Sequence, residues 1–287
     1  MRCDLHVHTI HSGKCTVPGF SRFCLESYNE PQALYETLKM RGMDLVTVTD
    51  HDSIDAAEEL RKYPDFFLSE EVTMTLPSGT EMHAGVYGIA ERDHTELQRR
   101  RTDAESLLAY ALENRLFVTV NHAFSSLTGR RAEQDFTLFA HDFHGIEVIN
   151  GHMLECANTL AVAFALRHRK PVTAGSDSHT LHGAGKTFTE IVHARNASEF
   201  VTALRRGHGV PRGESGNCIK LTQAISGIGG SLVRTNPRAA VLAPLFAFVP
   251  VFAVANYCRE RAFAWHWGRK RPGHEPEAGL LAYQGAA

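Results

Sequence analysis

The 287 residues hold no CxxC pair, no internal repeat, no low-complexity tract and no excess of basic charge. The six cysteines, Cys3, Cys15, Cys24, Cys156, Cys218 and Cys258, lie too far apart in sequence for a thiolate zinc ribbon or a thioredoxin-type pair. A formal net charge of -2 leaves no global positive field to hold a long nucleic acid by counterion release. Aromatic residues make up 9% of the chain and form no stacking run, so long single strands are not an expected partner either. The first residues lack the apolar core of a signal peptide, and the reading is of a reduced, cytoplasmic protein.

The abundant residue is histidine, with 17 copies. Histidine is the commonest metal ligand and the side chain that exchanges protons most readily near neutral pH, so composition points to metal or proton chemistry. Hydrophobic residues at 43% against 22% charged describe an ordinary globular core in which to place it.

Strand and helix patterns alternate along the first two thirds of the chain. Arg2 to Val7 and the β-branched run Asp44 to Asp50 read as buried parallel strands. Between them Glu30 to Arg41 reads as a helix with Pro31 in its first turn and Gly42 as its C-terminal cap. Further strands fit Met82 to Ile89, Leu116 to Asn121, Gly145 to Ile149 and Pro171 to Ala174, with helices over Glu96 to Asn114 and Glu155 to His168. Such alternation means an α/β fold, either an open sheet or a barrel, with its chemistry at the C-terminal ends of the strands. Residues 1–224 read as the catalytic domain and 225–287 as a hydrophobic helical tail. The segment from Gly13 to Asn29 is expected to overhang the site.

In the tail, every residue from Ala239 to Ala255 is apolar, with arginines on both sides. Such a segment rises about 25 Å as a helix, against roughly 30 Å for a bilayer core, and contains Pro244 and Pro250. It reads as a packing helix or as a membrane anchor that would tether the protein to a bilayer surface.

The chemistry-bearing residues fall at the predicted strand ends. His6 and His8, at i and i+2 on an extended segment, point to one face and can share an ion. Thr49-Asp-His51 and Gly175-Ser-Asp-Ser-His179 repeat the pairing of carboxylate with imidazole. Glu70-Glu-Val72 supplies a carboxylate able to bridge two ions, and His83 and His122 add imidazoles on two further strands. Each motif alone is also met as hydrogen-bonded buried histidine. Together they exceed what one tetrahedral ion can use, so two or three divalent ions are expected, and mixed nitrogen and oxygen donors suit Mn, Zn or Fe.

This ordered set, HxH, TDH, a glutamate before a histidine-bearing strand, NH and GSDSH, resembles the polymerase and histidinol phosphatase (PHP) family over about residues 2 to 215. The resemblance implies a distorted seven-stranded β/α barrel, hydrolysis of phosphate esters, and ligand roles for His6, His8, His51, Glu71, His83, His122, Asp177 and His179. Glu71 is preferred to Glu70 because it directly precedes Val72. One departure stands out: Ser12 is followed by Gly13 and Lys14, where many members carry Asp-Gly. The missing carboxylate is one that helps hold a third ion, so His11, Cys15 or Glu26 would have to replace it, or Lys14 would supply the positive charge.

The expected reaction is hydrolysis of a small phosphomonoester or nucleotide by a metal-activated water. His51, His179 and Asp177 are the candidate catalytic groups, the two histidines as leaving-group acids. Arg130 and Arg131, in the polar run after His122, are the candidate grips on phosphate, with Lys14 beside them and Lys186 and His152 as further candidates. Rival classes are an exonuclease-type phosphodiesterase on short oligonucleotides, a non-catalytic metal-binding scaffold at a membrane, and an amidohydrolase. The last usually has a lysine at a central strand end, and none is placed there.

Overall fold

A computed structural model of the chain describes residues 1–15 and 24–270. Residues 16–23 of the expected overhang, and 271–287 of the expected tail, lie outside the described residues. The strands are β1 (Arg2–Cys3), β2 (Ser69–Thr75), β3 (Glu81–Tyr87), β4 (Phe117–Val120), β5 (Gly145–Asn150), β6 (Val172–Gly175), β7 (Phe188–Glu190) and β8 (Val210–Arg212). The helices are α1 (Pro31–Met40), α2 (Ala57–Leu60), α3 (Glu91–Arg100), α4 (Ala104–Glu113), α5 (Glu133–His141), α6 (Glu155–Arg167), α7 (Ala197–Arg205), α8 (Cys218–Thr235) and α9 (Val249–Lys270).

These strands build two sheets. One is five-stranded in the order β2-β3-β4-β5-β6, antiparallel from β2 to β4 and parallel from β4 to β6. The other is three-stranded and antiparallel, in the order β1-β7-β8. Neither closes on itself, and the seven-stranded barrel implied by the sequence motifs is not formed.

Side chains are the reason. Where two more parallel strands were expected, some backbone groups of 4–9 and 44–50 are taken up by polar side chains, while others keep backbone partners, as Thr49 N–H does with Val7 O at 2.9 Å. Val7 N–H donates to Thr49 Oγ1 at 3.0 Å and Thr9 N–H to Asp50 Oδ1 at 2.6 Å. Asp4 Oδ1 accepts from His6 N–H at 3.2 Å and from Ser176 N–H at 2.9 Å. Only isolated bridges remain, Val7 with Ser178, Val46 with Phe66 and His51 with Glu71. Likewise β6 meets β7 through the hydroxyl of Thr189, which accepts from Ala174 N–H and donates to Ala174 O.

The helix expected over Glu96 to Asn114 is two helices. Asp103 caps α4 by accepting from Ser106 N–H at 3.1 Å, and a side-chain cap of this kind starts a new helix and so ends the old one before it. The main core lies between the five-stranded sheet and its helices, where Val118 and Ile146 meet Leu107, Phe136, Phe139 and Phe164.

The tail is helical but lies against this core. A 3-10 stretch, Pro237–Phe248, takes the first part of the apolar run and α9 takes the rest, with Pro250 tolerated in its first turn. Further along α9, Ala264 and Trp267 join the main core, and the rings of Trp267 and Phe136 are 4.7 Å apart. Buried Glu260 accepts from Ser126 N–H at 3.1 Å and from the Ser126 hydroxyl. Among the described residues no helix is long and apolar enough to cross a membrane, and the expected membrane association through 239–255 is withdrawn.

Candidate metal centre

The approach of the first segment to the Gly175–Ser178 turn depends on a glycine. A Cβ on Gly175 would lie 2.4 Å from the backbone nitrogen of His6, closer than such atoms ever come. With no side chain there, Asp177 N–H reaches His6 O at 2.6 Å and His8 N–H reaches Ser178 O at 3.2 Å. The two ligand-bearing motifs nearest the chain's beginning and end thus lie side by side. His122 and Asp177 occupy positive φ, at 33° and 51°, conformations that cost energy in a non-glycine residue and that often mark functional positions.

Glu71 is the centre of the cluster. Its Oε2 lies 3.2 Å from His6 Nε2, 3.5 Å from His8 Nε2 and 3.3 Å from His51 Nδ1. Its Oε1 lies 3.6 Å from His83 Nδ1 and 3.4 Å from His122 Nε2. Glu70 faces the other side of β2, bonded to His94 at 2.8 Å and Gln98 at 2.9 Å, because consecutive side chains of a strand point oppositely. Asp177 Oδ1 stands 3.4 Å from both His6 Nε2 and His8 Nε2 and 3.9 Å from His179 Nδ1. The eight expected ligands therefore meet in overlapping sets whose ligand atoms lie within 4.8 Å of one another: His6, Glu71 and His122; His51, Glu71 and His83; His6, His8 and Asp177; His8, His51 and His179. A further set adds His152 to Asp177 and His179.

The outer partners fix which nitrogen of each ring carries its proton. His6 Nδ1 is 2.8 Å from Glu147 Oε1, and His179 Nδ1 is 3.1 Å from the Asp177 carbonyl. His8 Nδ1 is 3.0 Å from Ser12 Oγ, whose own hydrogen goes to Asp50 at 2.7 Å. In His8 and His179 Nδ1–H is the donor, so Nε2 keeps a bare lone pair directed into the cluster, while His6 Nε2 lies 3.2 Å from Glu71 Oε2. His8 Nε2, His51 Nδ1 and His179 Nε2 are buried and make no hydrogen bond. Bare lone pairs converging on carboxylates, in a place with no donor for them, are what a divalent cation requires.

Charge within the cluster is far from its solution state. For Glu71, burial favours the neutral acid, but His6, His51 and His83 and the hydrogen bond to His122 outweigh it and hold the carboxyl well below its ordinary range. Asp177 is likewise held low against its burial, by His6, His8 and His179. Burial, together with His179 and His51, pushes the His8 imidazole well below its usual value, and burial lowers His83 in the same direction. His6 is opposed by burial but carried well up by Glu71, Asp177 and Glu147. Ionised carboxylates and several neutral imidazoles form a coherent ligand set, capable of coordinating two or three ions.

Other expected residues lie elsewhere. Arg131 is buried, donates to Glu81 O at 2.9 Å and to the Thr128 hydroxyl, and is lowered to about 10 by burial. Those bonds tie the loop after β4 to β3. Arg130 is exposed on the same loop, and Lys14 is exposed next to the bridge it forms with Leu25. Glu26 is placed beside the cluster, its carboxylate 3.6 Å from His51 Nε2 and 3.9 Å from His179 Nε2.

Sequence reasoning missed Glu147 and Asn150. Glu147 Oε2 accepts from His122 N–H at 3.0 Å and from Asn150 Nδ2 at 2.9 Å, while Asn150 Nδ2 also reaches Asp177 Oδ2 at 3.0 Å. The signal available was a lone carboxylate in the apolar strand Gly145 to Ile149, where a buried charge demands a partner.

Comparison with known proteins follows the same lines. A family described as PHP-associated matches residues 155–208. The chain shares its fold with a two-domain protein from Bacteroides vulgatus described as containing a predicted PHP-like metal-dependent phosphoesterase, with a TM-score of 0.55 and 18% identity over 79% of this chain and 69% of that one. The match to a PHP-associated family and the shared folds support assignment of the chain to the PHP family. The lesion-specific endonuclease PfuEndoQ of Pyrococcus furiosus has the same fold at a TM-score of 0.52, with 18% identity over 73% of this chain and 57% of that one. In sequence, the Methanocaldococcus jannaschii protein MJ1587, itself uncharacterised, is 25% identical over 157 residues, 53% of this chain and 83% of its own length. At these identities the structural likenesses speak for the fold. The PHP assignment and the ligand clusters together place the chain in a class of metal-dependent hydrolases.

Proposed function

We propose that this PHP chain hydrolyses a small phosphomonoester or a nucleotide at a centre of two or three divalent ions. The observation that carries the proposal is the reach of Glu71, whose two oxygens face different sets of imidazoles, His6, His8 and His51 on one side and His83 and His122 on the other. A carboxylate so placed can bridge two ions.

In this reading His6, His8 and Asp177 would hold one ion, and Glu71, with His83 and His122 near its Oε1, would help hold a second. A third ion would be held by His51 and His179 with Glu26, whose carboxylate lies 3.6 and 3.9 Å from the two rings and would stand in for the aspartate missing at Gly13. When bound, such ions supply positive charge that acidifies water and offsets charge developing on phosphate oxygens. Glu147, Ser12 and Asp50 keep the rings of His6 and His8 in the tautomer that presents Nε2. Asn121, which donates to Glu71 Oε1 at 2.8 Å, steadies the shared carboxylate. His51 and His179 are half-buried at the edge of the cluster, and as ion ligands they leave protonation of the departing alkoxide to water, while Arg130 is exposed on the loop after β4.

Phosphate release from a panel of phosphomonoesters, nucleotides and one diester tests this, using protein loaded in turn with Mn, Zn and Fe. The expected result is turnover that a chelator abolishes and that His8→Ala lowers by at least about a thousandfold. Turnover unaffected by chelation, or confined to the diester, would overturn the proposal.

A further inference from the structure

Next to the centre, a cleft runs between the Ser176–Thr187 loop and α8, and His152 belongs to both the cleft and the ligand cluster. The His152 ring is stacked 6.0 Å from that of His179. On α8, Lys220, Gln223, Ala224 and Gly227 follow the i, i+3, i+4, i+7 spacing of a single helix face. That face is turned to the loop, because a Cβ on Gly227 would meet Thr180 Cγ2 at 3.2 Å and Ala224 lines the cleft. Small residues at these two positions bring the helix close while leaving Lys220 and Gln223 at the opening.

Cations outnumber anions around this cleft. Lys220 Nζ is paired with Glu214 at 3.0 Å and donates to Ser215 O at 2.7 Å. Lys186 forms no ion pair among the described residues, and its contact is with His182 Nε2 at 3.1 Å. An ammonium only donates, so His182 Nε2 accepts, and the charge of Lys186 is shared with that of Lys220 on the single carboxylate of Glu214. Two ammonium groups therefore face one carboxylate, in a cleft that shares His152 with the ligand cluster.

We infer that this cleft, through Lys186 and Lys220, binds a second anionic group of the substrate, a phosphate or a carboxylate carried on the portion that leaves. The inference rests on the proposed phosphoesterase reading for the position of the first phosphate. It narrows the substrate class to small esters with two separated negative groups.

Paired ligands test it by equilibrium binding to metal-loaded protein: fructose 6-phosphate against fructose 1,6-bisphosphate for a second phosphate, and glycerol 3-phosphate against 3-phosphoglycerate for a carboxylate. In at least one pair the doubly charged member should bind about tenfold more tightly, an advantage lost in Lys186→Gln and kept in Lys186→Arg. Inorganic phosphate should bind wild type and Lys186→Gln alike. Equal affinities within both pairs, or an advantage that survives in Lys186→Gln, would overturn the inference. Failure of the phosphoesterase reading is seen separately, as absence of phosphate release from all four esters, and binding selectivity lost in Lys186→Gln would still support an anion cleft.

Discussion

Glu147 holds two ligand residues at once, with Oε1 2.8 Å from His6 Nδ1 and Oε2 accepting from His122 N–H at 3.0 Å. The first contact orients a ring, and the second pins a backbone at positive φ. Because both act through the ligands, Glu147→Ala is expected to weaken ion binding by about 10- to 100-fold, with Glu147→Gln less affected because its oxygen still accepts from His6. Competition titration against a chromogenic chelator measures this, and unchanged affinity in the alanine variant would remove Glu147 from the centre.

The chain departs from the PHP pattern at Gly13, and the Glu26 carboxylate lies 3.6 Å from His51 Nε2 and 3.9 Å from His179 Nε2, which the proposed third ion would use. Glu26→Ala should therefore lower the metal content of saturated protein by one ion per chain, as counted by mass spectrometry of the native protein. A wild type that binds only two ions, or a variant that keeps all of its ions, would rule out this role.

Burial lowers the His152 imidazole from its ordinary value to about 4, with Asp177 opposing and His179, His6 and Lys220 adding to the effect. The unfolded chain then binds a proton below about 6.5 that the folded chain refuses until about 4. The folded state of chelated protein should lose stability as pH falls through that window. In His152→Asn this contribution vanishes, so urea midpoints measured from pH 7 to pH 4 should fall less steeply than in wild type.

Glu260 docks α9 onto the loop that follows His122, through the N–H and hydroxyl of Ser126. Glu260→Ala leaves those donors buried without a partner and should cost about 1–3 kcal/mol. Trp267→Ala, which empties a site against Phe136, should cost about 3–5 kcal/mol. Both are read from urea unfolding. A tail that contributes nothing to the fold would leave both midpoints in place.

The candidate ligands that the structure brings together were legible because metal binding imposes local rules. His6 and His8 share a face by their i and i+2 spacing alone, and Asp177 and His179 repeat it, so these pairs were readable before any tertiary contact was known. The choice of Glu71 over Glu70 rested on the residue that follows, and tertiary placement put the two carboxylates on opposite faces of one strand. Arg130 and Arg131 show the limit of such reading. Neighbours of identical type, they differ because one is exposed and the other is buried against Glu81.

By itself, then, the sequence determined the chemistry of the centre, since the identity and spacing of donors are properties of short segments. Tertiary structure decided what depends on partners distant in the chain. Polar side chains such as Thr49, Asp50 and Asp4 took up backbone groups that ladders would have used, leaving two open sheets where a barrel was expected. The same holds for Glu147, whose partners lie 141 and 25 residues away, and for the apolar tail. Its hydrophobic run suited either a bilayer or a protein surface; no described helix is long and apolar enough to cross a membrane, and it is beyond the run that Trp267 and Glu260 meet Phe136 and Ser126.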